Sequence, residues 1–313
     1  MMERRTENKI VLIVRRTRLD ELIARFNTVD QARFYVEHLG ADFSDYQAED
    51  RTYKHAVREA GAILARHGRL QVVDRAFVPN FIFGPADTVV ALGQDGLVAN
   101  VLKYLGGQPL VGVNPDTARW EGVLLPFTVP ELDVLLPEVF AGKRPLRTVT
   151  MAQATLNTGE TLCGVNDLFV GPRSHTSARY SIRIGGRSEI HSSSGIIVST
   201  GLGSTGWLRS ILAGAAGIAS ALSGRTLKID EQRAFRWDAD HLYFSVREPW
   251  PSKNSAADIT FGKITAETPL VLVSHMAENG VIFSDGIESD FLHFNSGTQA
   301  TIALAKKQGH LVT

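Results

Sequence analysis

The stretch VVALGQDGLVANVL, residues 89–102, decides how this chain folds. An apolar run stops on Gly93-Gln94-Asp95-Gly96, and apolar residues then resume with helical spacing. A strand that ends in glycines and opens a helix is the start of a β-α-β unit. Further out, KIVLIVR (9–15), LQVVD (70–74), TVVAL (88–92) and PLVGV (109–113) read as buried strands. QAEDRTYKHAVREAGAILARHG (47–68) carries Ala56, Ala60, Ile63 and Leu64 at helical spacing and ends on Gly68. Such alternation predicts a parallel sheet. In VPELDVLLPEVFAGKRP (129–145), Pro130 suits a first helical turn, and Gly142 followed by Pro145 suits a stop and a linker.

Past about Arg147 the pattern changes. RTVTMAQATL (147–156), ARYSIRI (178–184), LYFSVR (242–247), ADITF (257–261) and PLVLV (269–273) alternate between polar or glycine-containing turns, the mark of an antiparallel sheet domain. One alanine- and glycine-rich helix lies between Leu208 and Leu222, and its stretch AGAAGIASAL (213–222) reads as tightly packed, within the chain or at a subunit contact. The expected architecture is an α/β N-terminal domain with a parallel sheet (1–145) and a mainly β C-terminal domain (146–313) whose last residues pack back on the first.

Composition narrows the function. The 313 residues are 44% hydrophobic and 21% charged, with 33 Lys plus Arg against 33 Asp plus Glu, so no field is built for a polyanion and no nucleic-acid partner is expected. The apolar stretch Ile10 to Val14 is far too short for a membrane span. The lone Cys163 forms no internal disulfide and no metal pair; it reads as a small core residue in a reducing, cytoplasmic setting.

Three stretches carry chemistry. At the glycine turn, backbone N–H groups and a helix N-terminus suit a phosphate, yet Asp95 would repel one. Its presence suggests a carboxylate that holds Mg²⁺ or takes a proton from an attacking hydroxyl; the alternative is a helix cap. In GVNDLFVG (164–171), Asn166 and Asp167 open an apolar strand, where an amide and a carboxylate suit an adenine and a ribose, or an Asx-turn. In SSGIIVSTGLGSTGWLRS (193–210), a strand runs into a Gly/Ser/Thr loop. There Gly201, Gly203 and Gly206 spell G-x-G-x-x-G, with Asp230 at the spacing of a ribose-binding acid. That dehydrogenase reading lacks strand-helix alternation after Asp230, and Trp207 fits poorly where helix and strand must approach. His175 reads as a polar loop residue. Arg15, Arg16 and Arg18 follow the first strand, either as phosphate contacts or as a solvated cluster.

Taken in order, LGQDG (92–96), GVN (112–114), Asn166-Asp167 and STGLGSTGW (199–207) resemble the GGDG, GIN or GVN, NE and STPTGSTAY-like motifs of the NAD kinase family. GVNPDTARWEGVLLP (112–126), the paired Ser193 and Ser194, and FSVREP (244–249) resemble the mitochondrial-type NAD kinases of animals. The resemblance implies an α/β domain, a β-sandwich-like domain and a site between them. It implies phosphoryl transfer from ATP, with Mg²⁺, to the 2′-hydroxyl of the adenosine ribose of NAD. It implies Asp95 as the catalytic carboxylate, and Gly93, Gln94 and Gly96 as the loop against the phosphates. Asn114, Asn166, Asp167, Ser204, Thr205, Gly206 and Trp207 fall on its dinucleotide-binding positions, with no protein metal site and a homodimer or homotetramer. Gln94 replaces a glycine, which crowds a phosphate or offers it an amide, and Asp167 replaces a glutamate. A dinucleotide sensor without turnover, or a kinase for a lipid or another nucleotide, are the alternatives.

Overall fold

The computed structural model describes residues 5–227 and 235–313. The chain divides into two compact units, residues 1–147 with 310–313, and residues 148–309.

The first unit opens with β1 (Lys9–Val14), followed by α1 (Arg18–Phe26), α2 (Val29–His38) and α3 (Phe43–His67). Then come β2 (Arg69–Asp74), β3 (Thr88–Leu92), α4 (Asp95–Leu102), β4 (Pro109–Asn114), the short β5 (Phe127–Thr128) and α5 (Leu132–Phe140). The strands are parallel in the order β2-β1-β3-β4. Ile10, Leu12, Val90, Leu92, Val111 and Val113 form one face of the core against α3 and α5. Every residue of β3 is buried, as a strand covered on both faces requires. The final residues His310 and Leu311 pair parallel with Pro109 and Leu110.

Strand order fixes where a ligand belongs. From β1 the chain goes to β2 on one side, and the next strand, β3, lies on the other. Loops leaving β1 and β3 at their carboxyl ends therefore diverge, the point at which open α/β sheets bind ligands. Thr17 accepts from Asp20 N–H and Asp20 accepts from Thr17 N–H, a capping box that starts α1 directly after the Arg15-Arg16 turn.

The second unit contains β6 (Leu146–Leu156), β7 (Thr161–Gly164), β8 (Asp167–Pro172), β9 (Ala178–Ile184), β10 (Arg187–Ser193) and β11 (Ile196–Ser199). After α6 (Trp207–Ser223) follow β12 (Leu242–Val246), β13 (Phe261–Ile264), β14 (Leu270–Ser274), β15 (Gly280–Ser284), β16 (Ile287–His293) and β17 (Gln299–Val312). One antiparallel sheet runs β13-β12-β11-β8-β15-β16; β10, β9, β14 and β17 are successive neighbours in another. Leu168, Val170, Ile196, Val198, Phe244 and Ile282 from the first face Tyr180, Ile182, Leu270, Leu272 and Ile302 from the second in one core, a β-sandwich. Because side chains alternate along β8, Asp167 and Phe169 point away from that core.

Four sequence expectations need correction. LQVVD forms β2, but at the sheet edge, with Gln71 and Val72 exposed, and is no buried strand. Cys163 is only half-buried on β7 and is no core residue. Within the chain the helix α6 is not tightly packed: Leu208 is its buried residue, while Ile218 and Leu222 are exposed. ADITF is mostly loop, and its strand begins at Phe261. Among the described residues no helix is long and apolar enough to cross a membrane.

Candidate active site

At the end of β3, Gly93 N–H donates to Val113 O at 3.1 Å, which keeps the turn on the sheet edge. A Cβ at Gly93 would stand 2.9 Å from Leu97 Cδ2, so any larger residue would make that side-chain end shift. Gln94 is the residue that caps α4, with φ −129° and ψ 165°, extended backbone open to any L-residue. The glycine that the resemblance expects here is therefore not a backbone necessity. Gly96 is exposed, and a Cβ there would meet nothing within 4 Å.

Asp95 does not cap its helix, since α4 has no side-chain cap. Its Oδ1 instead accepts from Leu124 N–H at 2.7 Å. Among the described residues its Oδ2 has no hydrogen-bond partner. The half-buried carboxylate thus stands at an uncapped helix N-terminus, tied on one side and open on the other. The segment holding Leu124 is itself fixed by β4. A Cβ at Gly112 would lie 1.9 Å from Leu124 O, so only glycine lets the two backbones meet. Asn114 is buried; its Nδ2 donates to Trp120 O at 3.0 Å and its Oδ1 accepts from Asp116 N–H at 3.0 Å. Its side chain braces the 115–122 loop.

In the second unit, the Asp285 carboxylate accepts from three successive amides: Val165 at 3.0 Å, Asn166 at 2.7 Å and Asp167 at 3.3 Å. This fixes the turn that presents Asn166 and Asp167. Burial, and then the charge of Asp285, push the Asp167 carboxyl up to about 7. The glycine-rich loop is fastened to the same turn, with Thr200 N–H donating to Asn166 O at 3.0 Å. A Cβ at Gly203 would lie 2.0 Å from that oxygen, and one at Gly201 would lie 1.9 Å from Arg236 O. Those glycines serve close backbone approach. Ser204 is buried, with Oγ donating to Gly201 O at 2.7 Å, whereas Thr205 and Gly206 are exposed. Trp207, the first residue of α6, stacks on Phe169 at 6.1 Å and with it lines a pocket of about 330 Å³.

The structure brings Asn166, Asp167, Ser204 and Thr205 to one turn-and-loop system, and Gly93, Gln94, Asp95 and Gly96 to another. The G-x-G-x-x-G follows β11, which pairs antiparallel with both β8 and β12. It is no Rossmann turn, and Asp230 lies outside the described residues. Sequence reasoning missed Asp285. The Asp285-Gly286 turn is legible as a hairpin signal, with Asp285 at φ 55°. Its reach to amides 118 to 120 positions away is not.

No protein-family model matches the chain. Over 124 residues it is 31% identical to the NAD kinase of Chlorobaculum tepidum, a match covering 39% of this chain and 43% of that relative. The match thus spans less than half of the relative's length. Two solved structures align along nearly the whole chain. The NAD kinase from Archaeoglobus fulgidus in complex with ATP gives a TM-score of 0.57 at 14% identity, covering 97% of this chain and 93% of its own. Yeast NADH kinase complexed with NADH gives 0.58 at 14% identity, covering 99% and 84%. The fold is the two-domain, NAD kinase-like one, an α/β unit with a β-sandwich unit.

Proposed function

We propose that this chain is an NAD kinase that moves the terminal phosphoryl group of ATP to the 2′-hydroxyl of the adenosine ribose of NAD. The fold, the local identity to an NAD kinase and the order of the four motifs support family membership. The observation that carries the reading is Asp95. A carboxylate that fails to cap its own helix, keeps one oxygen open and stands at the switch point of a parallel sheet suits a general base. In this reading Asp95 takes the proton of the ribose hydroxyl as the hydroxyl attacks phosphorus. The Leu124 amide holds the carboxylate in place, and the open N–H groups at the start of α4 face the phosphates.

Asn166, Asp167 and Thr205 serve as donors and acceptors for the adenosine, with Trp207 as an aromatic wall. Among the described residues no three His, Cys, Asp or Glu side chains form a metal-holding group. A Mg²⁺ would come with the donor phosphates, leaving the open oxygen of Asp95 to the ribose hydroxyl. When bound, it neutralises charge on the phosphates. The extended backbone of Gln94, which any L-residue can adopt, supports a working turn.

Further parts of the proposal are a cytoplasmic setting, supported by a sequence with a single cysteine, and a homodimer or homotetramer, supported by the exposed apolar side of α6. The mitochondrial-type resemblance in 112–126 and 244–249 belongs to it as well. Purified protein with ATP, Mg²⁺ and NAD is expected to form NADP; no NADP with either ATP or polyphosphate as donor removes the reading.

A further inference from the structure

We infer that Arg15 is a phosphate-binding residue of the glycine turn, its Nε–H held ready for an oxygen of the phosphoryl donor. The identity of that donor rests on the kinase reading; the anion site does not. β1 and β3 are parallel neighbours with Ile13 opposite Ala91, so Arg15 and Gly93 leave the sheet side by side at the switch point. Three contacts fix the Arg15 side chain. Its Nη2 donates to Glu49 Oε1 at 2.9 Å, its Nη1 to Arg16 O at 2.9 Å, and its guanidinium lies 4.9 Å from the Tyr53 ring centre. The Tyr53 hydroxyl accepts from Arg15 N–H at 2.8 Å and donates to Leu92 O at 2.9 Å, which stitches the ends of β1 and β3 together.

Among the described residues, Nε is the one guanidinium nitrogen of Arg15 without a partner. The Arg15 side chain is 9% exposed, and its Nε is buried with no hydrogen-bond partner. Leaving a charged donor unsatisfied in an interior is costly, and a ligand oxygen is one acceptor that would satisfy it. The atom lies 3.7 Å from the point that a Cβ at Gly93 would occupy, beside the uncapped start of α4. A side chain at position 93 would press on Leu97 and stand against Arg15, so glycine keeps the backbone of the turn close to Nε. Because Nε is covered, engagement needs a small opening of the turn, which Gly93 and the free helix end permit.

The surrounding ion pairs make Arg15 a directional donor and not a general source of charge. Arg18 contacts Glu49 and Asp45, and Arg119 contacts Asp45. Glu49 is therefore already served by a second arginine. Burial alone would raise its carboxyl, but hydrogen bonds from Arg18 and Arg15 hold it below the usual range. An arginine needed only to neutralise Glu49 would duplicate Arg18. One with a spare Nε–H at a phosphate turn has a second partner to meet.

The test uses inorganic tripolyphosphate with the full chain, by calorimetry and by ¹⁵N spectra of arginine Nε–H groups. Wild type is expected to bind, with one Nε–H resonance, correlated through bonds to Arg15, moving downfield. Arg15→Lys, which keeps the Glu49 partner and loses Nε, is expected to bind tripolyphosphate at least tenfold more weakly. Should Arg15→Lys fail to fold, the wild-type spectra alone decide. Tripolyphosphate binding that leaves the Arg15 Nε–H unmoved, equal affinity in the folded variant, or no binding by wild type overturns the proposal. Arg15-dependent binding in a protein that makes no NADP would sink the kinase reading and leave this one standing.

Discussion

At the residue scale the question is what each carboxylate is charged for. Asp95 bonds Leu124 N–H through one oxygen, and an asparagine can supply that acceptor as well. Asp95→Asn should keep the unfolding midpoint while losing the base, so kcat for NADP formation should fall by about 10²–10⁴ with little change in the NAD KM. Steady-state kinetics beside a urea titration would check it; an unchanged kcat refutes the role. Asp167 titrates at about 7 when folded, against roughly 3.9 for an ordinary aspartate. Between those values the folded chain holds the extra proton, so Asp167 costs stability as pH rises from about 4 to about 7, with the full cost present above. Asp167→Asn should therefore gain on wild type across that window and hold a constant lead above it, measured by urea midpoints from pH 4.5 to 8.5. Ribose hydroxyls donating to the carboxylate favour its charged form, so NAD affinity should rise through pH 7 in wild type and lie flat in Asp167→Asn. Of these two acids, the first was legible because an aspartate at a phosphate turn is chemically odd. The raised carboxyl of Asp167 was not legible, since Asp285 reaches it only through folding.

At the element scale the glycines separate into those that shape the site and those that leave it open. A Cβ at Gly203 would sit 2.0 Å from Asn166 O, so Gly203→Ala must push the loop off the Asn166-Asp167 turn. The expected cost is about 1–3 kcal/mol, the usual range for overpacking, together with weaker NAD binding. Gly96→Ala meets nothing within 4 Å and should leave the urea midpoint unchanged, yet raise the KM of the phosphoryl donor. A loss of stability in Gly96→Ala, or none in Gly203→Ala, would contradict this division. The strand-turn-helix at 89–102 was readable because apolar period, glycine and length all agree there. The buried strands β1, β3 and β4 lie within a residue of their sequence expectation for the same reason. In α6 composition misled: alanine and glycine suit both a packed helix and an exposed one, and only the solvent accessibility of Ile218 and Leu222 separates them. ADITF misled because alternation continues through a loop whose Ile259 is buried without joining a strand.

At the scale of the whole molecule, two units with separate cores each carry one half of the proposed machinery. The change from buried apolar runs to alternating stretches near residue 147 made the α/β-then-β order readable, whereas the pairing of His310 with Pro109 depends on a contact across 201 positions that no local pattern encodes. This division yields a prediction that separates ligands by the part of the chain they order. Tripolyphosphate has only phosphate oxygens to offer, so it should slow amide hydrogen exchange at residues 93–97, which follow β3, and at Arg15. NAD also carries an adenosine, and should slow exchange at 165–167 and 200–206 as well as at the glycine turn. The free energy of protection should follow ligand concentration, reaching about 2.7 kcal/mol at a hundredfold excess over Kd. Hydrogen-exchange mass spectrometry on the full chain resolves these peptides. Protection by NAD confined to one unit would mean that Asp95 and the Asn166-Asp167 turn do not serve the same dinucleotide, and the proposed transfer to the ribose would then have no acceptor in reach of its base.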